Sequence, residues 1–254
     1  MRVFCISDIH IDYEENAAWL SGLSRSDYQN DILIVAGDLT DKLALLKKGL
    51  QQLAERFDKV FFLPGNHELW VRNGELQNSL QKFDAIEALA GQLGILTQPF
   101  YSESLNIVPL LGWYDYSFGR PGQQLRDGWM DYRVCRWPHG WDAAAVSRHF
   151  TERNPRQLPA QRGSGTLITF SHFLPRIDLM PSYIPAEHRF LYPVLGSYIL
   201  EQQLRSLQSD IHVYGHSHVN RKVTLNGVCY INNAFGYPGE TRIAARKLMC
   251  IHEV

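Results

Sequence analysis

The sequence predicts an α/β fold: a mostly parallel sheet wound by right-handed crossovers, with a second sheet packed against it. Two observations carry this. Strand-like and helix-like stretches alternate through the first hundred residues, which is the pattern of βαβ crossovers. Near the C-terminus the pattern gives way to short strands, two of them joined by Asn226-Gly227, the strongest short hairpin signal. A third observation bears on function. Five of the strand-like runs stop at a turn carrying Asp, His or Asn side chains.

The elements follow in order. Val3–Ser7 is an apolar run of strand formers. Glu15–Gly22, with Ala17, Ala18, Trp19 and Leu20, reads as a short helix, and Ile32–Ala36 as the next strand. Thr40 and Asp41 offer N-cap chemistry before Leu43, Leu45, Leu46, Leu50 and Leu53, which recur near helical spacing. Val60–Leu63 is a third strand. From Leu76 to Leu93, residues Leu80, Phe83, Ile86, Leu89, Ala90 and Leu93 share one helix face. Leu105–Leu110 and Thr166–Phe170 read as strands on either side of an irregular stretch. A Pro-rich loop, Pro175 to Pro193, leads to a helix with Tyr198, Ile199, Leu200, Leu204 and Leu207 on its apolar face. Ile211–Tyr214, Lys222–Leu225, Val228–Asn232 and Lys247–Glu253 complete the strands, and the antiparallel tail suggests the second sheet.

A length of 254 residues suits one large α/β domain spanning 1–254, and 45% hydrophobic residues can fill its core. The formal net charge of −1 gives no global pull toward nucleic acid or anionic lipid. Asp8 interrupts the first apolar run, so nothing resembles a signal peptide, and no run approaches the ~20 apolar residues of a spanning helix. Cys5, Cys135, Cys229 and Cys250 form no C-x-x-C pair and read as small hydrophobes of a reducing compartment. A soluble cytoplasmic protein, with no stable nucleic-acid or membrane partner, is expected; the oligomeric state is not legible.

The strand ends carry the chemistry. They are Asp8-Ile9-His10, Gly37-Asp38, Gly65-Asn66-His67-Glu68, Ser171-His172 and Gly215-His216-Ser217-His218. Asp, His and Asn delivered together to a sheet edge have the composition of a metal site. Two divalent cations ~3.5–4 Å apart repel each other and need a bridging anion. Asp38, standing alone after a central strand and a glycine, is the candidate for that bridge. Asp8 and His10 alternate around Ile9, and His216 and His218 around Ser217, so each pair is expected to face one way at its strand end. Asn66 offers a neutral carbonyl oxygen and His172 another imidazole. Mixed nitrogen and oxygen ligands suit Mn, Fe or Zn better than Mg or Ca. His212 is read as packed in the sheet, and His139, His149, His188 and His252 are assigned no metal.

As a set, these blocks resemble the calcineurin-like metallophosphoesterase superfamily, whose pattern is D-x-H, G-D, G-N-H-[ED], a lone His and G-H-x-H. The resemblance spans nearly the whole chain. It implies a four-layer α/β/β/α sandwich of two mixed sheets flanked by helices, holding two divalent metal ions, with Mn the first choice. It also implies that Asp8, His10, Asp38 and His218 hold one metal, and Asp38, Asn66, His172 and His216 the other. His67 would not ligate but would donate a hydrogen bond or proton beside the metals. The implied reaction is in-line attack on phosphorus by a water or hydroxide bridging the metals. Glu68 reads either as a support for the site or as a helix-starting acid without a catalytic part.

Departures narrow the branch. The phosphoprotein phosphatases carry an aspartate and arginine after the second block and an arginine before G-N-H-E. Here Leu39-Thr40-Asp41-Lys42 follows Asp38, and Pro64 precedes Gly65, so the phosphate-clamping arginines are missing. The double-strand-break nucleases have larger chains. Superfamily members that serve as non-catalytic scaffolds typically lose motif residues, and this chain keeps every ligand.

The stretch 113–162 is the open part. Trp113, Tyr114, Tyr116, Phe118, Trp129, Tyr132 and Trp137 alternate with Arg120, Arg126, Arg133 and Arg136. Arginine pairs with phosphate and aromatics stack on bases or on arginine. The stretch therefore reads as a substrate cap, with Arg133 and Arg136 as candidate substrate contacts, or else as a subdomain held by aromatic packing. The cap is expected to select substrate without joining the chemistry. The expected activity is hydrolysis of a small phosphoester, first a nucleotide-like phosphodiester, with a phosphomonoester of a small metabolite as the alternative. A lipid-linked pyrophosphate is a further option, though the chain has no clear amphipathic anchor.

Overall fold

The computed structural model of the chain describes residues 1–72, 76–159 and 163–254. Two sheets face each other. In the first, β1 (Arg2–Ile6), β2 (Ile32–Val35) and β3 (Lys59–Phe62) run parallel in that order. In the second, β4 (Phe100–Tyr101), β5 (Leu105–Pro109), β6 (Thr166–Phe170), β7 (Ile211–Tyr214), β8 (Arg221–Leu225) and β9 (Val228–Asn232) are ordered β4-β5-β6-β7-β9-β8. Its central strands β5, β6, β7 and β9 are parallel, and β4 and β8 are antiparallel edges. Asn226 and Gly227 both have positive φ, the geometry of a type I′ turn, and they close the β8–β9 hairpin.

Strand residues alternate between two apolar environments, which is why the central strands are apolar on both faces. Val3, Cys5, Ile32, Ile34 and Phe61 of the first sheet meet Leu105, Ile107, Ile168, Phe170, Val213 and Ile231 of the second in one core. The alternate residues, such as Phe4, Leu33, Val60, Leu167 and Tyr230, turn outward to helices. On the first sheet these are α1 (Glu14–Ser21), α2 (Leu43–Ala54) and α3 (Ser79–Gln92). Two sheets between helical layers make the four-layer sandwich.

The tail departs from expectation in one respect. The last strand, β10 (Met249–Glu253), does not join the second sheet; it pairs antiparallel with β1 of the first. That pairing covers what would otherwise be an open edge beside β1. A second departure is the start of α2. Its N-cap is Lys42, with no side-chain cap, because Thr40 and Asp41 belong to the preceding loop, where the Thr40 hydroxyl accepts from the Lys42 N–H at 3.2 Å.

The stretch 113–162 is the crossover joining the parallel strands β5 and β6; its last three positions lie outside the described residues. It holds three short helices, α4 (Gln123–Gly128), α5 (Asp131–Val134) and α6 (Ala143–Thr151). α6 is capped by Asp142, and its Phe150 packs on Phe83 of α3 at 5.2 Å. It is tied to α7 (Tyr198–Ser206), since the Gln203 amide donates to Thr151 O and accepts from Asn154. Leu200 and Leu204 of α7 are buried, whereas Tyr198 is exposed and lies outside the apolar face. The Pro-rich loop before α7 contains two 3-10 segments, Ile177–Leu179 and Ala186–Val194. All four cysteines are free. No helix among the described residues is long and apolar enough to cross a membrane.

Candidate metal centre

The five loops meet where the parallel strands of both sheets end. Main-chain bonds stitch them together: Asp8 N–H to Gly37 O (2.9 Å), His10 N–H to Asp38 O (3.0 Å), and Gly215 N–H to His172 O (2.9 Å). Ser7 N–H donates to Asn233 O at 3.1 Å, joining the end of the first sheet to the second. The paired ligands do not converge by strand alternation. β1 ends at Ile6 and β7 at Tyr214, and Asp8, His10, Asp38, His216 and His218 all have φ between 47° and 66°. Side chains rarely adopt this left-handed region, which costs about 1–3 kcal/mol per residue and persists where surrounding structure enforces it. Strained backbone, not a pleat, aims these groups inward.

Two buried groups of donors result: Asp8, His10, Asp38 and His218, and Asp38, His172 and His216, each within 4.8 Å. Asp38 is common to both. His10 Nε2 faces His218 Nε2 at 3.1 Å, and His218 Nε2 is 3.3 Å from Asp8 Oδ1. His172 Nε2 lies 3.1 Å from both Asn66 Oδ1 and His216 Nδ1, and 3.4 Å from Asp38 Oδ2. Donors about 3 Å apart are spaced as ligands on one cation with bonds of about 2.1 Å would be.

The far nitrogen of three imidazoles is already engaged. His172 Nδ1 donates to Ala36 O (2.8 Å), His216 Nε2 to Val194 O (3.0 Å), and His218 Nδ1 to Glu240 Oε2 (2.6 Å). These bonds fix which nitrogen faces the site, so that the neutral rings direct the lone pairs of His172 Nε2, His216 Nδ1 and His218 Nε2 inward, as metal ligands require. The donor set therefore fits two divalent cations.

The buried histidines divide into two kinds. Burial disfavours charge on His218, but Asp8 and Glu240 outweigh it and push the imidazole up to about 10. Burial likewise opposes charge on His172, and Asp38 and Asp8 outweigh it to about 9. Burial would raise the Asp8 carboxyl, yet His218 brings it down to about 2. Asp38 is held well below the carboxylate range, burial being outweighed by His172 and His67. Burial, reinforced by neighbouring imidazoles, lowers His10 well below its usual value and His216 to about 3. Cation loading would displace the protons that balance the two carboxylates.

His67 stands beside the donors. Its Nε2 is 3.8 Å from Asp38 Oδ2, its ring centre is 3.6 Å from that of Trp70, and the Tyr237 hydroxyl lies 3.4 Å from Nε2. Glu68 supports the site, as one of its two sequence readings has it, but through the main chain of the loops. Its buried carboxylate accepts from the main-chain N–H groups of Asp38 (2.9 Å), Leu39 (2.6 Å), Thr40 (3.0 Å) and Gly65 (2.8 Å). It clamps the loop after β2 to the loop after β3. Arg133 and Arg136 stay at the surface: the Arg133 guanidinium donates to Asp127 O, and the Arg136 main chain exchanges bonds with Ser79. Glu240, Tyr237 and Asp131, whose carboxyl accepts from Asn66 Nδ2 at 2.9 Å, were not found from sequence. Glu240 and Tyr237 follow the last motif without a spacing rule, and Asp131 sits among aromatics with no local signature.

A family profile described as calcineurin-like phosphoesterase matches residues 1–220. The chain belongs to the calcineurin-like phosphoesterase family. Among its relatives is the [acyl-carrier-protein] phosphodiesterase PptH of Mycobacterium tuberculosis, 24% identical over 262 residues, covering 94% of this chain and 79% of that protein. An uncharacterized protein, L509 of Acanthamoeba polyphaga mimivirus, is 22% identical over 266 residues, covering 92% of this chain and 91% of its own. The crystal structure of phosphopantetheinyl hydrolase (PptH) from Mycobacterium tuberculosis shares the fold with a TM-score of 0.77 and 22% identity, covering 98% of this chain and 95% of that one. This phosphoesterase is accordingly a hydrolase of phosphoester bonds.

Proposed function

We propose that the protein is a dinuclear metal-dependent phosphodiesterase that releases a phosphopantetheinyl group from acyl carrier protein. The observation that carries the dinuclear part is the sharing of Asp38 between two buried donor groups. Asp8, His10, Asp38 and His218 hold one cation, and Asp38, Asn66, His172 and His216 the other. Manganese is the first choice, and iron or zinc also suit the mixed nitrogen and oxygen donors. When bound, such a pair polarises phosphoryl oxygens and supplies a nucleophile from water at neutral pH.

The chain's own residues do the rest. Asp38 places one carboxylate between the two positions. Ala36 O, Val194 O and Glu240 hold the rings of His172, His216 and His218 in one tautomer. His67, steadied against Trp70 and within reach of the Tyr237 hydroxyl, gives a proton or hydrogen bond to the departing oxygen.

The choice of diester rests on the name of the Mycobacterium relative. It is supported by a mostly apolar cavity of about 610 Å³ beside the site, which is lined by Met180, Ile184, Leu191, Val219 and Ile243 and reaches Ser217 and Glu240, next to His218. That volume accommodates an organic arm larger than a bare phosphate. The test is incubation of holo-acyl carrier protein with the Mn(II)-loaded enzyme, read by mass spectrometry, beside chromogenic phosphate mono- and diesters. Loss of the phosphopantetheinyl mass from the carrier is expected. Cleavage of the monoester alone would make the enzyme a phosphomonoesterase, and no metal uptake with no turnover would sink the hydrolase mechanism.

A further inference from the structure

We propose that Asp131, on α5 of the β5–β6 crossover, is a positioning residue that fixes the amide of Asn66 with its oxygen toward the second cation position. The inference rests on the dinuclear reading above. The Asp131 side chain is buried, and three side-chain N–H groups converge on it. Asn66 Nδ2 and Trp70 Nε1 donate to Oδ1 at 2.9 and 2.6 Å, and Trp129 Nε1 donates to Oδ2 at 2.9 Å. The two indole N–H groups can only donate, so Oδ1 and Oδ2 are each held as acceptors.

That polarity decides which end of Asn66 faces the site. A side-chain amide has an oxygen that can ligate a cation and an NH2 that cannot. An acceptor-only partner takes the NH2, which turns Oδ1 to within 3.1 Å of His172 Nε2. With an amide in place of the carboxylate, the Asn66 side chain could turn over and aim its NH2 at the cation. The same carboxylate holds the Trp70 indole, whose ring lies 3.6 Å from that of His67. The crossover is thus joined to both the donor set and the proton donor through a residue 65 positions from Asn66 in the chain.

The experiment is calorimetric titration of the metal-stripped full chain with Mn(II). Wild type is expected to take up two ions. Asp131→Asn is expected to weaken the second by about 10–100-fold, the usual cost of losing a residue that orients a ligand, and to leave the first at Asp8, His10, Asp38 and His218 unchanged. Pairing Asp131→Asn with Asn66→Asp removes the need for orientation, because the introduced carboxylate offers an oxygen to the cation whichever way it turns. The paired protein is expected to recover the second site, a rescue that general damage to the fold would not give. Equal uptake of both ions by wild type and Asp131→Asn would overturn the role of Asp131 alone. Should Asp131→Asn fail to fold, the paired protein decides: recovery supports the role and no recovery overturns it. A wild type that binds no Mn(II) would overturn the dinuclear reading instead.

Discussion

At Gly65 a Cβ would overlap Asp38 Oδ1 and come within 2.7 Å of His172 Nε2. Gly37 and Gly215 are similar: a Cβ would lie 2.5 Å from His172 Nδ1 at the first and 2.8 Å from Asp8 Oδ2 at the second. The motif glycines are the space that lets the donors approach. Gly65→Ala should therefore displace Asp38 and His172 and weaken Mn(II) binding at both positions, at a cost to folding of about 1–3 kcal/mol, as for overpacking. Metal titration beside urea unfolding checks this, and unchanged metal affinity would mean that the donors can give way. His67→Ala should do the opposite. It should keep both ions and lose roughly 10²–10⁴ in rate, as for loss of a general acid. If His67→Ala loses an ion, His67 is a ligand and the assignment must change. The sequence made the donors legible because each block of them follows closely on the end of a strand-like run. It did not reveal the left-handed backbone that aims them, since D-x-H reads equally well as a strand pleat.

Elements were legible where their period ran long enough. The 14 residues of α3 repeat their apolar face several times, β2 is an unbroken apolar run, and β1 and β3 are apolar after their first residue. Helices α4 and α5, of 6 and 4 residues, hold too few turns for any period to emerge, so the crossover read as irregular. Arg133 and Arg136 remain proposals for contact with substrate outside the reacting centre. On that proposal Arg133→Ala and Arg136→Ala raise KM for holo-acyl carrier protein and leave a minimal chromogenic diester nearly unchanged. Equal loss of kcat on both substrates would contradict it. Strand β7 carries a different consequence. His212 is fully buried, 2.8 Å from Thr169 Oγ1 and 3.0 Å from Ser171 Oγ, and burial lowers its pKa to about 3. The unfolded chain takes up this proton near pH 6.5 while the folded one refuses it, so stability is full above that pH and falls below it by about 1.4 kcal/mol per unit. Urea unfolding at pH 7 and pH 5 should show a drop in wild type that is about 2 kcal/mol smaller in His212→Asn. Equal drops would show that His212 is protonated in the folded protein.

For the whole molecule, the layer order was legible in the alternation of crossovers and the hairpin, whereas the return of β10 to β1 was not, because no local pattern ties residues at opposite ends of the chain. The same architecture bears on what cations do to stability. Asp8, His10, Asp38 and Asn66 stand on loops of the first sheet, and His172, His216 and His218 on loops of the second. Each proposed cation position draws on both sheets: His218 completes the set of Asp8, His10 and Asp38, and His172 and His216 complete that of Asp38 and Asn66. A bound ion would therefore join two sheets that also meet through an apolar core and through hydrogen bonds such as Ser7 to Asn233 and His172 to Ala36. The unfolded chain offers no such set, so binding adds to stability by mass action, about 2.7 kcal/mol per site at a hundredfold excess over Kd. In a domain of this size that raises Tm by about 5–10 °C for one site. Thermal unfolding of metal-stripped protein with increasing Mn(II) measures the shift, and Asp38→Ala, which removes the donor shared by both sets, should abolish most of it. A Tm indifferent to Mn(II) in wild type would mean that the donors do not clamp the sheets, and a full shift in Asp38→Ala would mean that Asp38 is not the bridge between them.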